Sequence, residues 1–404
     1  MKRSLILLAV LAGLSGCSTI KGWFTDSKAE NIEPPTLLTE FPQTLAVQKV
    51  WTERVGKGAG ESGARMGTAY ADGKIFAAST SGDVAAFDAA TGRTLWHKTI
   101  GSRHGFVLHH GENSVRWSGG PTVSGDMVVV GTLEGTVEAF GVNDGNELWT
   151  AQLSSEVISP PAIGDGIVAA HTHDGRVFGL DARNGNRLWV FDRATVPILS
   201  LRGNSGPVID HGVVFIGEDN GKVVAVRAND GGELWEQQIS SGEGRSEIER
   251  IQDVDGALKV DGGVVYASGY RGQTVALIAE NGRPLWTHEV SSYAGVALSA
   301  SQVYTADADS SIWALDLRSG SSEWKQDGLK YRWVGELAVQ GDAVVVGDLE
   351  GWVHWLSISD GKFVARTRLS KDPIESAPLV VGDMVYVEDT AGEIGAFRVG
   401  KQGG

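Results

Sequence analysis

The stretch Gly175-Arg-Val-Phe-Gly-Leu-Asp-Ala-Arg-Asn-Gly-Asn-Arg-Leu-Trp189 is the unit from which this chain is built. Its short apolar run, Val177 to Leu180, shows little alternation, which favours a strand that is buried on both faces. Asn184-Gly185 suits a tight turn that needs positive φ, and Asp181 can hydrogen-bond back onto the backbone of that turn. The stretch therefore predicts a β-hairpin that carries one large aromatic ring on its return strand.

The same pattern recurs along the chain. Five complete copies have a glycine, a second glycine ten residues later and a tryptophan four residues after that; their first glycines are Gly82, Gly135, Gly175, Gly221 and Gly272. A sixth copy starts at Ser310, a seventh at Gly351 has Ala365 in place of the tryptophan, and an eighth starts at Gly392 and stops with the chain. The starts are 53, 40, 46, 51, 38, 41 and 41 residues apart. Repeats of roughly 40–50 residues with four short strands each are typical of a β-propeller.

The incomplete eighth copy predicts how the ring closes. It lacks its last strand, whereas Val47-Gln-Lys-Val-Trp51 is a last strand without a copy of its own. Pairing the two segments removes the open edges that a linear array would leave. The sequence therefore predicts an all-β fold: an eight-bladed β-propeller of four-stranded antiparallel blades over residues 47–400, closed by the N-terminal strand, with a tail at 401–404.

The N-terminus has the layout of a secretory signal, because Lys2-Arg3 precede an apolar run that is too short to span a bilayer. Leu14-Ser-Gly-Cys17 resembles the lipobox of bacterial lipoproteins, in which cleavage leaves a lipid-modified cysteine at the start of the mature chain. The alternative is an ordinary signal peptide with an incidental cysteine. Residues 1–16 are thus predicted to be the signal peptide, and residues 17–46 a lipidated, flexible tether. The residue at the second mature position is Ser18, not Asp; by resemblance to the sorting rules of such lipoproteins, this implies anchoring at the outer membrane, on its periplasmic face.

Charge and cysteine content exclude several classes of protein. The net charge is −15 at pH 7, and removal of Lys2 and Arg3 with the signal peptide makes it two units more negative. Such a charge argues against nucleic acid as a partner. Cys17 is the only cysteine, so the chain forms no intramolecular disulfide. Packing between blades must supply the stability.

Three insertions lengthen the repeat, and binding residues concentrate on such loops. They span residues 101–120, 191–206 and 240–262. The first contains His104, His109 and His110, but no HExxH motif or cysteine pair accompanies them, so a solvated loop is favoured over a metal site.

The second and third insertions offer groups that suit protein contact. In the second, Leu199 and Leu201 point the same way in an extended loop and stand beside Arg202, a combination found at binding hot spots. The alternative is that both leucines pack under the loop. The third is rich in charge and includes Asp253 and Asp255; its carboxylates are compatible with a cation site, an acid/base pair, a patch for a basic partner or plain solvated charge.

The repeat A-[FL]-[DN]-x-x-[TND]-G-x-x-x-W is similar to that of the pyrroloquinoline-quinone (PQQ)-type propellers. Together with the lipobox, the whole chain resembles the BamB family, the lipoproteins of the outer-membrane β-barrel assembly (BAM) complex. The strongest local matches are Leu199-Ser-Leu-Arg-Gly203, Ser246-Glu-Ile-Glu-Arg-Ile-Gln-Asp-Val-Asp255 and Val346-Gly-Asp-Leu-Glu-Gly-Trp-Val-His-Trp355. The histidine-bearing loop after Gly101 departs from the shared pattern.

The resemblance implies a non-enzymatic scaffold that binds the periplasmic POTRA domains of BamA and helps to deliver or orient nascent outer-membrane proteins. By motif, it implies that Leu199, Leu201, Arg202, Asp253 and Asp255 contact BamA. The rival interpretation is a quinoprotein dehydrogenase, which would need a vicinal cysteine pair, a calcium-binding carboxylate set and long active-site loops. With its single cysteine assigned to the lipid, the chain is expected to hold no cofactor and no metal.

Overall fold

The computed structural model describes residues 33–60, 64–101, 116–192, 205–240 and 252–401. Within these ranges every regular element is a β-strand, and no helix there is long and apolar enough to cross a membrane. The strands form eight sheets. The predicted all-β, eight-bladed propeller is confirmed.

The blades follow one another along the chain, and each has four antiparallel strands. Blade 1 contains β3 (Ala69–Ala71), β4 (Lys74–Ala78), β5 (Asp83–Asp88) and β6 (Thr94–Thr99); blade 2, β7 (Trp117–Ser124), β8 (Met127–Thr132), β9 (Thr136–Gly141) and β10 (Glu147–Gln152); blade 3, β11 (Ala162–Gly164), β12 (Ile167–His171), β13 (Arg176–Asp181) and β14 (Arg187–Asp192); blade 4, β15 (Val208–Asp210), β16 (Val213–Gly217), β17 (Lys222–Arg227) and β18 (Glu233–Gln238). Blade 5 contains β19 (Lys259–Asp261), β20 (Val264–Ser268), β21 (Thr274–Ile278) and β22 (Pro284–His288); blade 6, β23 (Ala297–Leu298), β24 (Gln302–Ala306), β25 (Ile312–Asp316) and β26 (Ser322–Gln326); blade 7, β27 (Leu337–Gln340), β28 (Ala343–Gly347), β29 (Trp352–Ser357) and β30 (Phe363–Arg368); blade 8, β31 (Leu379–Val381), β32 (Met384–Glu388), β33 (Glu393–Lys401) and β1 (Leu45–Arg54).

The ring closes as the sequence predicts. β1 pairs antiparallel with β33, from Leu45 opposite Lys401 to Arg54 opposite Glu393, with a bulge between Lys49 and Trp51. The N-terminal strand is therefore the outermost strand of the last blade, and no linear end remains in the array.

Blade 2 departs from the four-stranded expectation. A two-residue strand, β2 (Arg65–Met66), pairs in parallel with β7 opposite Gly119 and Gly120 and makes this sheet five-stranded. A segment this short has no hydrophobic period, so the sequence gives no signal for it.

The repeated tryptophans pack between neighbouring blades. Trp189 of blade 3 donates its indole N–H to the carbonyl of Ala228 in blade 4 at 2.7 Å. Its ring lies against Gly231, where a Cβ would come within 2.7 Å of the ring and where φ is +70°. In the part of the chain that the structure describes, the same indole-to-carbonyl bond occurs seven times, at 2.7–3.0 Å: Trp51–Ala89, Trp96–Val142, Trp149–Ala182, Trp189–Ala228, Trp235–Ala279, Trp286–Leu317 and Trp324–Ile358. The Trp51 bond runs from blade 8 to blade 1.

The closure of the ring explains why blade 7 lacks this tryptophan. In every other pair, the ring packs on the turn between the third and fourth strands of the next blade. Blade 8 has no such turn, because its fourth strand comes from the other end of the chain. Ala365 instead lies fully buried in a cluster with Leu45, Val47 and Val399 from the two chain ends.

The strand order places each connection at one of the two ends of the ring. Turns between the first and second strands, and between the third and fourth, lie at one end, the hairpin face. Turns between the second and third strands, and the links from each blade to the next, lie at the other end, the connecting face. The links that contain the three insertions run from β6 to β7, β14 to β15 and β18 to β19. All three therefore begin and end at the connecting face.

Residues 33–44, which the sequence assigns to a flexible tether, lie against the ring. The amide of Thr36 donates to the carbonyl of Lys330 at 3.0 Å, and the amide of Thr44 donates to that of Val364 at 2.8 Å. This part of the tether is thus held by the segment after blade 6 and by blade 7. Leu45 and Ala46, the last two residues of the predicted tether, begin β1. Residues 17–32 of the tether and the signal peptide, 1–16, lie outside the described residues.

Candidate protein-binding face

The residues predicted to contact a partner fall into two groups. Asp253 and Asp255 are described and lie at the end of the third insertion. The other three, Leu199, Leu201 and Arg202, lie outside the described residues. The same is true of the predicted lipidation site, Cys17, and of the histidine-bearing loop, His104 to His110.

The end of the third insertion crosses two neighbouring turns at the connecting face. Asp253 forms an antiparallel bridge with Tyr270 in the central turn of blade 5, whose amide donates to the Asp253 carbonyl at 2.7 Å. The next amide, that of Val254, donates to the carbonyl of Glu218 in the central turn of blade 4 at 3.1 Å. Val254 itself is buried in the core between these blades. The segment is therefore tied to both blades.

The start of the third insertion is fixed to the same two turns. Ser240 bridges Gly272, and its hydroxyl donates to the carbonyl of Tyr270 at 2.7 Å. Its amide donates to the carbonyl of Gly221 in blade 4 at 3.1 Å. Both ends of the insertion thus converge at one place between blades 4 and 5.

The end of the second insertion joins this junction. Ser205 is fully buried, and its hydroxyl donates to the carbonyl of Gly256 at 3.1 Å. A Cβ at Gly217 would lie 2.4 Å from the Val254 carbonyl and 2.9 Å from the Ser205 side chain. Only a glycine lets the two insertions approach this closely. Sequence reasoning did not single out Ser205 and Gly217, since small residues in a repeat give no signal until their neighbours are known.

Four carboxylates are buried at this junction. Asp253 is 0% exposed and Asp255 3%, and Glu218 and Asp219 beside them are 3% and 7% exposed. Buried carboxylates are costly without polar partners, and each of these four has an interaction partner. The solvated-charge alternative for Asp253 and Asp255 therefore does not describe them; in this structure they belong to the base of the insertion.

The third motif of the sequence, Val346 to Trp355, has a structural role. Asp348 is fully buried and accepts hydrogen bonds from Arg332 Nε at 2.7 Å and from His354 Nε2 at 3.0 Å. Burial raises the pKa of Asp348, but the hydrogen bonds and charges of His354 and Arg332 outweigh it and hold that pKa below its usual value. Burial lowers the pKa of His354, and its hydrogen bond to Asp348 and the charge of Asp348 offset this only in part.

Comparison with known proteins shows the family of the whole chain. The family model described as outer membrane protein assembly factor BamB matches residues 47–111, 80–326 and 327–402. The chain belongs to the BamB family. A family member from Xanthomonas campestris pv. campestris is 42% identical over 402 residues, which cover 99% of this chain and 98% of the relative. Another, from Pseudomonas aeruginosa, is 39% identical over 393 residues, covering 97% and 98%.

Solved structures agree with this assignment. The crystal structure of BamB from Moraxella catarrhalis has a TM-score of 0.77 and 25% identity, and the match covers 87% of this chain and 100% of that one. A quinohemoprotein alcohol dehydrogenase from Pseudomonas putida HK5 has a TM-score of 0.64 at 13% identity, covering 89% and 77%. The second likeness shows the shared propeller fold alone. The predicted resemblance to the BamB family is confirmed.

Proposed function

We propose that this protein is a non-catalytic scaffold of outer-membrane protein assembly, which binds the POTRA domains of BamA through its second and third insertions. The observation that carries the proposal is the junction of Ser205 with Gly256, which joins the ends of these two insertions at one face. They also contain two of the strongest family motifs. Relatives that span nearly the whole chain are named outer membrane protein assembly factors.

Each predicted contact residue has a distinct chemical task in this proposal. Leu199 and Leu201 supply apolar area, and Arg202 supplies charge-assisted hydrogen bonds to acceptors on BamA. Asp253 and Asp255 complement basic groups of the partner. Because both are buried at the base of the third insertion, this contact needs the partner to reach that base.

The test is co-purification with BamA. We expect that Leu199→Ala combined with Arg202→Ala abolishes co-purification, because the loss of hot-spot side chains mainly increases the dissociation rate. The midpoint of thermal unfolding should stay nearly unchanged. Leu188→Ala is the matched control: Leu188 is 49% exposed on the outer strand of blade 3, away from the connecting face, and its loss should leave BamA binding intact. Binding lost only in step with unfolding would contradict a direct contact.

The membrane attachment belongs to the same proposal. Cleavage before Cys17 would leave a cysteine modified with acyl chains such as palmitate, anchoring the propeller to the periplasmic face of the outer membrane. Cys17→Ser should abolish metabolic labelling with palmitate; labelling that persists would refute the assignment.

The alternative, a PQQ-dependent dehydrogenase, shares the fold. The two similarities differ in sequence identity: a BamB relative is 42% identical over 99% of this chain, whereas the alcohol dehydrogenase is 13% identical. We expect no spectral change and no dye reduction when PQQ and calcium are added to the purified protein.

A further inference from the structure

A cavity of about 630 Å³ opens at the centre of the connecting face. Its lining comes from both halves of the ring, mostly from links and central turns, and includes Met66, Pro121, Ile158 and Pro373. Most of this surface is apolar, but four acidic residues also line it: Glu336, Glu375, Glu388 and Asp389. No lysine, arginine or histidine lines the cavity among the described residues. The site therefore combines apolar walls with charge of one sign.

One of these acidic residues, Glu388, ends strand β32 and is only 3% exposed. Among the described residues, neither of its carboxylate oxygens has a hydrogen-bond partner. Asp389 beside it accepts bonds from the amides of Ala391 and Glu393 at 2.9 Å through Oδ1, while its Oδ2 has no partner there. Burying such acceptors without partners is costly. A group that donates hydrogen bonds to Glu388 would remove this cost.

Trp333 stands at the rim of the same cavity and is 63% exposed. Its φ of +48° is unusual for a bulky residue. The preceding residue, Arg332, is buried and bound to Asp348 at 2.7 Å and to the carbonyl of Thr36 at 2.9 Å. The loop that presents the indole is therefore rigid, and the indole is held in solvent beside a cavity. A fixed, exposed aromatic ring is a typical anchor for a ligand.

We propose that this cavity binds the guanidinium group of an arginine in an extended, otherwise apolar peptide segment, with Trp333 stacked on the guanidinium and Glu388 as its buried counter-ion. Charge complementarity selects a cationic occupant, and the apolar walls select one that carries hydrocarbon. The planar guanidinium fits both an indole face and a carboxylate, which a compact ammonium does less well. No group of three or more metal-ligating side chains occurs among the described residues, which disfavours a metal ion here.

The protonation of Glu388 couples this binding to pH. Burial, and secondarily the charge of Asp389, raise the pKa of Glu388 to about 8, so its carboxyl is neutral in the unliganded cavity at pH 7. Apart from Asp389, the other titratable groups that line the cavity in the described chain are Glu336 and Glu375, on two neighbouring links, and Tyr293, whose pKa burial raises. A bound guanidinium favours the carboxylate. Binding at pH 7 therefore releases a proton, and affinity increases from pH 6 to pH 8, by at most about tenfold per pH unit.

The test uses isothermal titration calorimetry with acetyl-Ala-Val-Arg-Val-Ala-amide and with the same peptide carrying citrulline, the neutral isostere of arginine. We expect the arginine peptide to bind at least tenfold more tightly. Glu388→Gln should weaken its binding about tenfold and remove the pH dependence, and Trp333→Leu should weaken it several-fold. Glu280→Gln is the control, since Glu280 is exposed in a turn at the hairpin face. Its titration should match that of the unmodified protein.

Folding of the variants is checked separately. For the unmodified protein, a carboxyl whose pKa is raised on folding contributes stability that is present below its unfolded pKa and lost as pH rises through about 8; Glu388→Gln should lack this decline. If Glu388→Gln unfolds, Trp333→Leu still tests the proposal, because Trp333 is exposed and its replacement should leave the fold intact. Equal affinity for the two peptides, or undiminished binding by both cavity variants, would overturn the proposal, as would competition by calcium alone. None of these outcomes depends on the BamA contact proposed above.

Discussion

At the scale of single residues, the tryptophan of each outer strand contributes to stability in two ways. Trp189 is 7% exposed, so its ring removes a large apolar area from water. Its indole N–H also satisfies the Ala228 carbonyl in the next blade. The residue type and its position are readable from the repeat alone; the acceptor is not, since it lies 39 residues further on.

Trp189→Ala should lower the free energy of unfolding by about 3–5 kcal/mol, because it removes the ring and leaves a cavity between two blades. Trp189→Phe keeps most of the ring and loses the hydrogen bond, so a smaller loss of about 1–3 kcal/mol is expected from the unpaired carbonyl. Urea unfolding followed by circular dichroism measures both. Equal losses for the two variants would show that the hydrogen bond, not the ring, carries the effect.

At the scale of the elements, the turn glycines act on a neighbouring blade as well as on their own hairpin. Gly185 has a φ of +71°, and a Cβ there would lie 2.5 Å from the ring of Trp149 in the preceding blade. Gly166 has a similar φ of +77° in another turn of the same blade, but a Cβ there would meet nothing within 4 Å. The two positions separate backbone strain from contact between blades.

Gly166→Ala should destabilise the protein by about 1 kcal/mol through backbone strain alone. Gly185→Ala carries the same strain and must also displace a buried indole, which adds about 1–3 kcal/mol. Thermal unfolding of the pair under identical conditions gives the difference. A Gly185→Ala variant no less stable than Gly166→Ala would mean that the Trp149 ring moves freely.

The elements also show where sequence reasoning reaches its limit. Hairpins, their turns and the orphan strand ending near Trp51 were predictable, because each follows from local spacing. The burial of Asp253 and Asp255 was not predictable, because carboxylates in a charged loop are usually exposed, and only the contacts of this segment with the central turns of blades 4 and 5 show otherwise. The central cavity was not predictable either, since the ring brings Trp333 and Glu388 to one cavity and no sequence motif links them.

At the scale of the whole molecule, one pairing holds the ring together. β1 covers the edge of β33 along its length, and Trp51 links blade 8 to blade 1. The stretch before β1 also contacts blade 7, where the amide of Thr44 donates to Val364. Such long-range contacts lie beyond any local pattern, which explains why residues 33–44 were predicted as part of a tether.

A chain that begins at residue 45 should remain monomeric, whereas one that begins at residue 55 should unfold at lower temperature and self-associate, because it exposes the edge of β33. Size-exclusion chromatography and thermal unfolding distinguish the two. A synthetic peptide of residues 45–54, added to the shorter chain, should restore the monomer. If the shorter chain matches the longer one in both measurements, β1 is not what closes the ring.

The closure also fixes an order of events in time. The side chain of Arg54 in β1 pairs with that of Glu393 in β33, 339 residues later, so β1 meets the strand it pairs with only after the residues between them have been synthesised. Until then β1 of the nascent chain is an unpaired strand that chaperones can bind. A chain whose translation stops before β33 cannot pair β1. The exposed strand then distinguishes the truncated chain from the folded protein as a substrate for proteases.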